Sequence, residues 1–103
     1  MTIIWSNQAV DAFWSIRDYI FENFGFEAEE DFLKAVDEAL QQAIAFPGSG
    51  VTEYDLSEDG SVQSILVHKR SRIIYYVEDD VLHVADMWNL RQNPDNLHSR
   101  FEK

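Results

Sequence analysis

The chain contains no cysteine, only two prolines and four glycines, and 8 basic residues against 19 acidic ones. Without cysteine, disulfides and thiolate metal sites are excluded, which fits a reducing compartment. Scarce glycine leaves no phosphate-cradling loop motif. No apolar run approaches membrane-spanning length. The opening residues MTIIWSNQA carry no basic segment before an apolar one, so we expect no secretion signal and a cytoplasmic protein with no membrane partner. The shortage of positive charge is uneven. Residues 1–63 hold 13 acids and 2 bases, a net −11, whereas residues 64–103 hold 6 of each and balance. An acidic surface repels nucleic acid at long range, so any polyanion contact would rest on the second half. The acidic first half suits a basic partner, or serves simply as a solvated surface.

Apolar residues make up 46% of the 103 and aromatics 14%. That is enough for a packed core, and the length suits one domain spanning residues 1–103. Thr2 to Trp5 reads as a strand, with Ser6 or Asn7 as the cap of a following helix. Ala9, Phe13, Ile16, Ile20 and Phe24 recur at helical spacing to about Asn23, and Val10, Trp14 and Phe21 form a second stripe. Gly25 ends this helix. A second helix from about Glu27 to Ala45 has one clean face, with Phe32, Val36, Ala39, Leu40 and Ala43, and acids crowding its first turn. Pro47 and Gly48 stop it, and residues 47–61 read as a loop. Three strands follow as a meander: Val62 to Lys69, Arg72 to Glu78 and Val81 to Asn89. The order is β-α-α-β-β-β. It predicts an α+β layer fold, with an antiparallel two-helix hairpin on an antiparallel sheet of about four strands. Ile73, Tyr75 and Val77 alternate with Ile74 and Tyr76, so both sheet faces are apolar and the second needs cover, permanent or occasional.

Positive charge concentrates in HKRSRIIYYV, residues 68–77, where Lys69, Arg70 and Arg72 precede an apolar strand. Lys69 and Arg70 fit a charged hairpin turn that discourages edge-to-edge aggregation. Together with His68 and Trp88 they are equally candidates for binding a target. Trp88 is either core, like Trp5 and Trp14, or a ring on which a base stacks. His68, His83 and His98 lack metal-ligand spacing. His83 alternates within an apolar strand, as a packed or hydrogen-bonded residue would. No metal or cofactor is expected.

The element order, the opening IIWSNQAVDAFWSIRDYI, the F-P-G-S-G loop, SRIIYYVEDD and the closing NLRQNP resemble the RelE/ParE superfamily of toxins from bacterial type II toxin–antitoxin systems. The resemblance spans almost the whole chain. It implies a growth inhibitor, of the plasmid-stabilising kind, silenced by a cognate antitoxin, as a hetero-oligomer or a homodimer. In the ParE branch the target is DNA gyrase. In the RelE and YoeB branch the toxin is a metal-independent endonuclease that cuts messenger RNA on the ribosome. For the nuclease branch, the resemblance assigns Arg72 and Arg91 to the scissile phosphate and Glu53 to the general base. RNA cleavage through the 2′-hydroxyl needs a base, a cation for the phosphorane and a leaving-group acid; His68 is an alternative base, and His68 or His98 a candidate acid. Two lysines of RelE-type nucleases fall on Gln63 and Ile65 here, their tail tyrosine falls on Leu97, and the His-Tyr end of YoeB-like enzymes falls on Leu90 and Arg91. These departures, with the acidic charge, favour the ParE branch. A third reading is a chain that keeps the fold without the toxicity.

Overall fold

The computed structural model describes residues 1–68 and 71–89. Lys69, Arg70, Leu90, Arg91, Leu97 and His98 lie outside the described residues. The observed order is β1 (Thr2–Trp5), α1 (Asn7–Phe24), α2 (Phe26–Ala45), a 3-10 turn (Pro47–Ser49), β2 (Val51–Thr52), β3 (Gln63–Val67), β4 (Ser71–Glu78) and β5 (Val81–Asn89).

Local chemistry sets the joints. The Ser6 hydroxyl accepts from the Ala9 N–H at 3.0 Å, capping α1, and donates to the Ala85 carbonyl at 2.8 Å, which ties the cap to β5. Gly25 alone separates the helices. Its φ of 93° lies in the left-handed region open to glycine, and its N–H donates to the Phe21 carbonyl at 2.9 Å. Asp79 and Asp80, at φ 53° and 61°, form the two-residue turn between β4 and β5; positive φ at both central positions matches the right-handed strand twist.

The sheet runs β1-β5-β4-β3-β2. The meander β3-β4-β5 is antiparallel as expected, but the sheet as a whole is mixed. β1 joins β5 in parallel, from Thr2 opposite Val81 to Trp5 opposite Val84. The helical hairpin carries the chain to the far edge, and the meander walks back, so first and last strands meet. A fifth strand also appears inside the segment read as a loop: Val51 and Thr52 pair with Ser64 and Gln63.

Both helices cover one sheet face. Ala9, Ala12 and Ile16 of α1 and Phe32, Val36 and Ala43 of α2 meet Ile65, Ile73, Tyr75, Leu82, Val84 and Met87. Phe13 stacks on Phe32 with centroids 5.8 Å apart. Each fully buried aliphatic or aromatic side chain contributes about 1.5–3 kcal/mol by leaving water. Tyr75 is buried with this set; its hydroxyl donates toward Gln63 Oε1 at 3.0 Å and the Pro47 carbonyl at 3.2 Å. Trp14, one of the rings read as core, is instead 49% exposed. A helix apolar around most of its girth does not say which of its faces the sheet will cover.

Candidate functional site

The opposite sheet face carries the polar groups. Cross-strand pairing places Leu66, Arg72 and Trp88 in one row and Ser64 and Ile74 in the next. At the other end of the face, Tyr76 stacks on His83 at 4.7 Å with an interplanar angle of 9°. The packed reading of His83 therefore describes its position.

Glu53 reaches this face through the segment after β2. Its N–H donates to the Val62 carbonyl at 2.9 Å, folding residues 53–62 back over the strands. That brings Leu56 and Val62 onto Ile74 and Trp88, which form a second small core with Ala85. Cover for the second face is thus built in, although partial: Ile4 and Leu66 are each 49% exposed. Trp88 is sealed in this cluster, with its ring packed rather than presented. The turn beneath is held by Asp59, which accepts from the Ser57 hydroxyl and from the Ser61 N–H. Those hydrogen bonds, that from Ser57 foremost, lower the exposed Asp59 carboxyl to about 2.

Ser64, fully buried, connects the two candidate charged residues. Its hydroxyl donates to Glu53 Oε2 at 2.7 Å and accepts from Arg72 Nη1 at 3.2 Å. A hydroxyl has one proton and two lone pairs, so this assignment satisfies both contacts. The guanidinium is half-buried, and among the described residues it makes no ion pair; the pair there is Arg17 with Glu29, at 2.8 Å. Among the described residues Arg72 has one hydrogen-bond partner for its five N–H donors, and a guanidinium fork of that kind suits a bidentate acceptor, either a phosphate or a carboxylate. Glu53 and Arg72 are brought into one network. His68 is exposed at the β3–β4 turn with φ 55°. Arg91, Lys69 and Arg70, the other candidates, lie outside the described residues. Among those residues no group of three His, Asp or Glu side chains could hold a metal ion.

Sequence reasoning missed Ser64 and Asp86. Ser64 carries no signal of its own, being one serine in a short strand. Asp86 could have been noticed as a lone acid in the apolar run VLHVADMWN. It is fully buried and accepts from Gln8 Nε2 at 3.0 Å and from the Met87 N–H at 2.8 Å. A register shift puts Ile74 opposite Asp86 and Tyr75 opposite Val84, leaving Ala85 as the extra residue of a β-bulge beside it.

Residues 3–99 match the family model for the ParE toxin of the type II toxin–antitoxin system parDE. Among curated proteins no sequence match is significant. Solved structures share the fold. A chain of the chromosomal ParDE toxin–antitoxin system from P. aeruginosa superposes with a TM-score of 0.69 at 14% identity, over 87% of this chain and 96% of that one. A YoeB/ParE toxin from Agrobacterium tumefaciens gives 0.59 at 14% identity, over 86% and 98%. The YoeB dimer from Staphylococcus aureus gives 0.58 at 20% identity, over 85% and 94%. No helix among the described residues is long and apolar enough to cross a membrane. With the family model covering nearly its full length, the chain belongs to the ParE toxin family of type II toxin–antitoxin systems.

Proposed function

We propose that this toxin acts in the ParE manner, binding and disabling a protein target of the DNA gyrase kind in the cytoplasm, and that a cognate antitoxin silences it by covering its exposed apolar surfaces. The observation that carries the mode is the burial of Trp88 beneath Leu56 and Val62. Nucleases that read single-stranded RNA commonly stack an unpaired base on an aromatic ring, and among the described residues the ring paired beside Arg72 in the sheet is taken up by packing. The net charge of −11 adds a long-range penalty for approaching RNA. Arg72, braced by Ser64, is then a recognition group aimed at a carboxylate of the target, and His68, Lys69 and Arg70 extend that contact.

Antitoxin partnership is supported by the relatives. The P. aeruginosa structure is of a ParDE system, and a second Staphylococcus aureus structure is a heterotetrameric complex of YoeB and YefM. One observation favours the nuclease as a second reading: the Glu53–Ser64–Arg72 relay would join a base to a phosphate-binding cation.

Expression in bacteria without its antitoxin should arrest growth, and coexpression of the polypeptide encoded beside it should restore growth. Arg72→Ala, alone and with Arg91→Ala, should relieve the arrest. Full toxicity in the double variant would remove both arginines from the account. Primer extension on cellular messages separates the readings, because new ends inside translated codons belong to the nuclease alone.

A further inference from the structure

The charge beside Arg72 is as fixed as Arg72 itself. Ser64 sits on β3 opposite Ile74 and is fully buried, so its hydroxyl has no water to turn toward. Its proton goes to Glu53 Oε2 at 2.7 Å, and a lone pair is left to accept from Arg72 Nη1 at 3.2 Å. Glu53 is held at its backbone too, by the 2.9 Å bond from its N–H to the Val62 carbonyl. The carboxylate and the guanidinium are thus one hydroxyl group apart, yet among the described residues they make no ion pair. A direct bidentate pair would fill the guanidinium fork. With Ser64 between them, Glu53 acts on the charge of Arg72 without taking up its N–H donors.

That arrangement separates two kinds of anion. Both charges lie well within one Debye length, about 10 Å at 0.1 M salt. From a distance an approaching anion meets a cancelled pair, and it meets a cation only on contact. A carboxylate on a protein surface, already carried in by its other contacts, still gains the short-range hydrogen bonds. A nucleic-acid strand depends on long-range attraction and counterion release, and the phosphates on either side of the contacted one also face Glu53. The segment that carries Glu53 back over the strands adds Asp55, Glu58 and Asp59, all exposed.

We propose that Glu53 is the specificity-determining residue of the Arg72 site: a resident anion that leaves the guanidinium able to take one carboxylate of a protein and bars the phosphate backbone of RNA. That the ligand is a protein carboxylate rests on the function proposed above. The exclusion of polyanions rests on the Glu53–Ser64–Arg72 geometry alone.

The test is a gain of binding, which a merely structural role for Glu53 would not produce. The full chain is titrated against a labelled single-stranded RNA of about 12 nucleotides, long enough for one site of this kind, with fluorescence anisotropy as the readout. Glu53→Gln keeps a carbonyl to accept from Ser64 and removes only the charge. At low salt it should bind the RNA at least about tenfold more tightly than the wild type, and the slope of log affinity against log salt should steepen by about 0.7, one added phosphate contact. Glu38→Gln is the control: it removes the same charge from an exposed position on α2, across the sheet, and should change affinity less than about twofold. Adding Arg72→Gln to Glu53→Gln should return binding to the wild-type level. Unchanged or weaker RNA binding in Glu53→Gln, an equal gain in Glu38→Gln, or a gain that survives Arg72→Gln would overturn the proposal. Supercoiling by purified gyrase, measured with the same preparations, distinguishes this proposal from the reading under it. The expected gain, with supercoiling unaffected by the wild type, would retain the exclusion of RNA and defeat the protein-carboxylate reading. Inhibited supercoiling without the gain would defeat the role of Glu53 and retain that reading.

Discussion

The two faces of the sheet are built from alternate residues of the same strands, yet they obey different rules. Beneath the helices, Ile65, Ile73 and Met87 lie side by side and are almost wholly buried. One residue away along each strand, the other face carries Ser64, Ile74 and the neighbouring Arg72; among the described residues Leu56 and Val62 lie over its small apolar cluster. The first face is continuous and apolar, and its tolerance to change is set by packing. The second is a small hydrophobic plug beside a polar relay that ends in a half-buried cation. Stability belongs mainly to the first face, and the recognition proposed above to the second.

Substitution can break this division. Ile73→Ala should destabilise the protein by about 2–5 kcal/mol in urea unfolding, because a fully buried side chain leaves a cavity under two helices. Trp88→Ala removes more atoms, but from a plug whose covering loop can collapse inward, so the loss should be about 2–3 kcal/mol. A larger loss than for Ile73→Ala would make the far face the principal core. Ser64→Ala should cost about 1–2 kcal/mol, since Glu53 and Arg72 each lose a partner but remain within reach of water. Arg72→Gln should change stability by less than about 1 kcal/mol and still abolish growth arrest, separating function from folding at one position.

The smallest effect concerns pH. Burial pushes the Tyr75 phenol above its ordinary value of 10.0. Its folded-state value therefore exceeds the unfolded one. The protonated phenol stabilises the fold fully below pH 10 and loses that contribution as pH rises through the higher folded value. Urea midpoints measured between pH 8 and 11 should fall in the wild type and fall less in Tyr75→Phe. Absorbance at 295 nm should show one of the four tyrosines ionising after the rest.

Local patterns made most of the architecture legible. Helical spacing located α1 and α2 to within a residue or two at each end, and alternation with short turns located β3, β4 and β5. Two features escaped for physical reasons. β1 pairs with β5 across some eighty residues, and no local signal encodes such a partner. β2 has two residues, too few for a period. Glu53 and Arg72 were visible because resemblance named them, and their connection through Ser64 was not, because a serine becomes a relay only when the fold buries it between them. Trp14 misled in the opposite direction: its stripe was clear, but the sheet covers the adjacent face and leaves this one to solvent.

The most direct test is DNA supercoiling by purified gyrase, run alongside mapping of message ends in cells producing the toxin. The account predicts that wild-type protein stops supercoiling, that Arg72→Gln does not, and that messages stay intact. Unimpaired supercoiling with messages cut inside codons would contradict it.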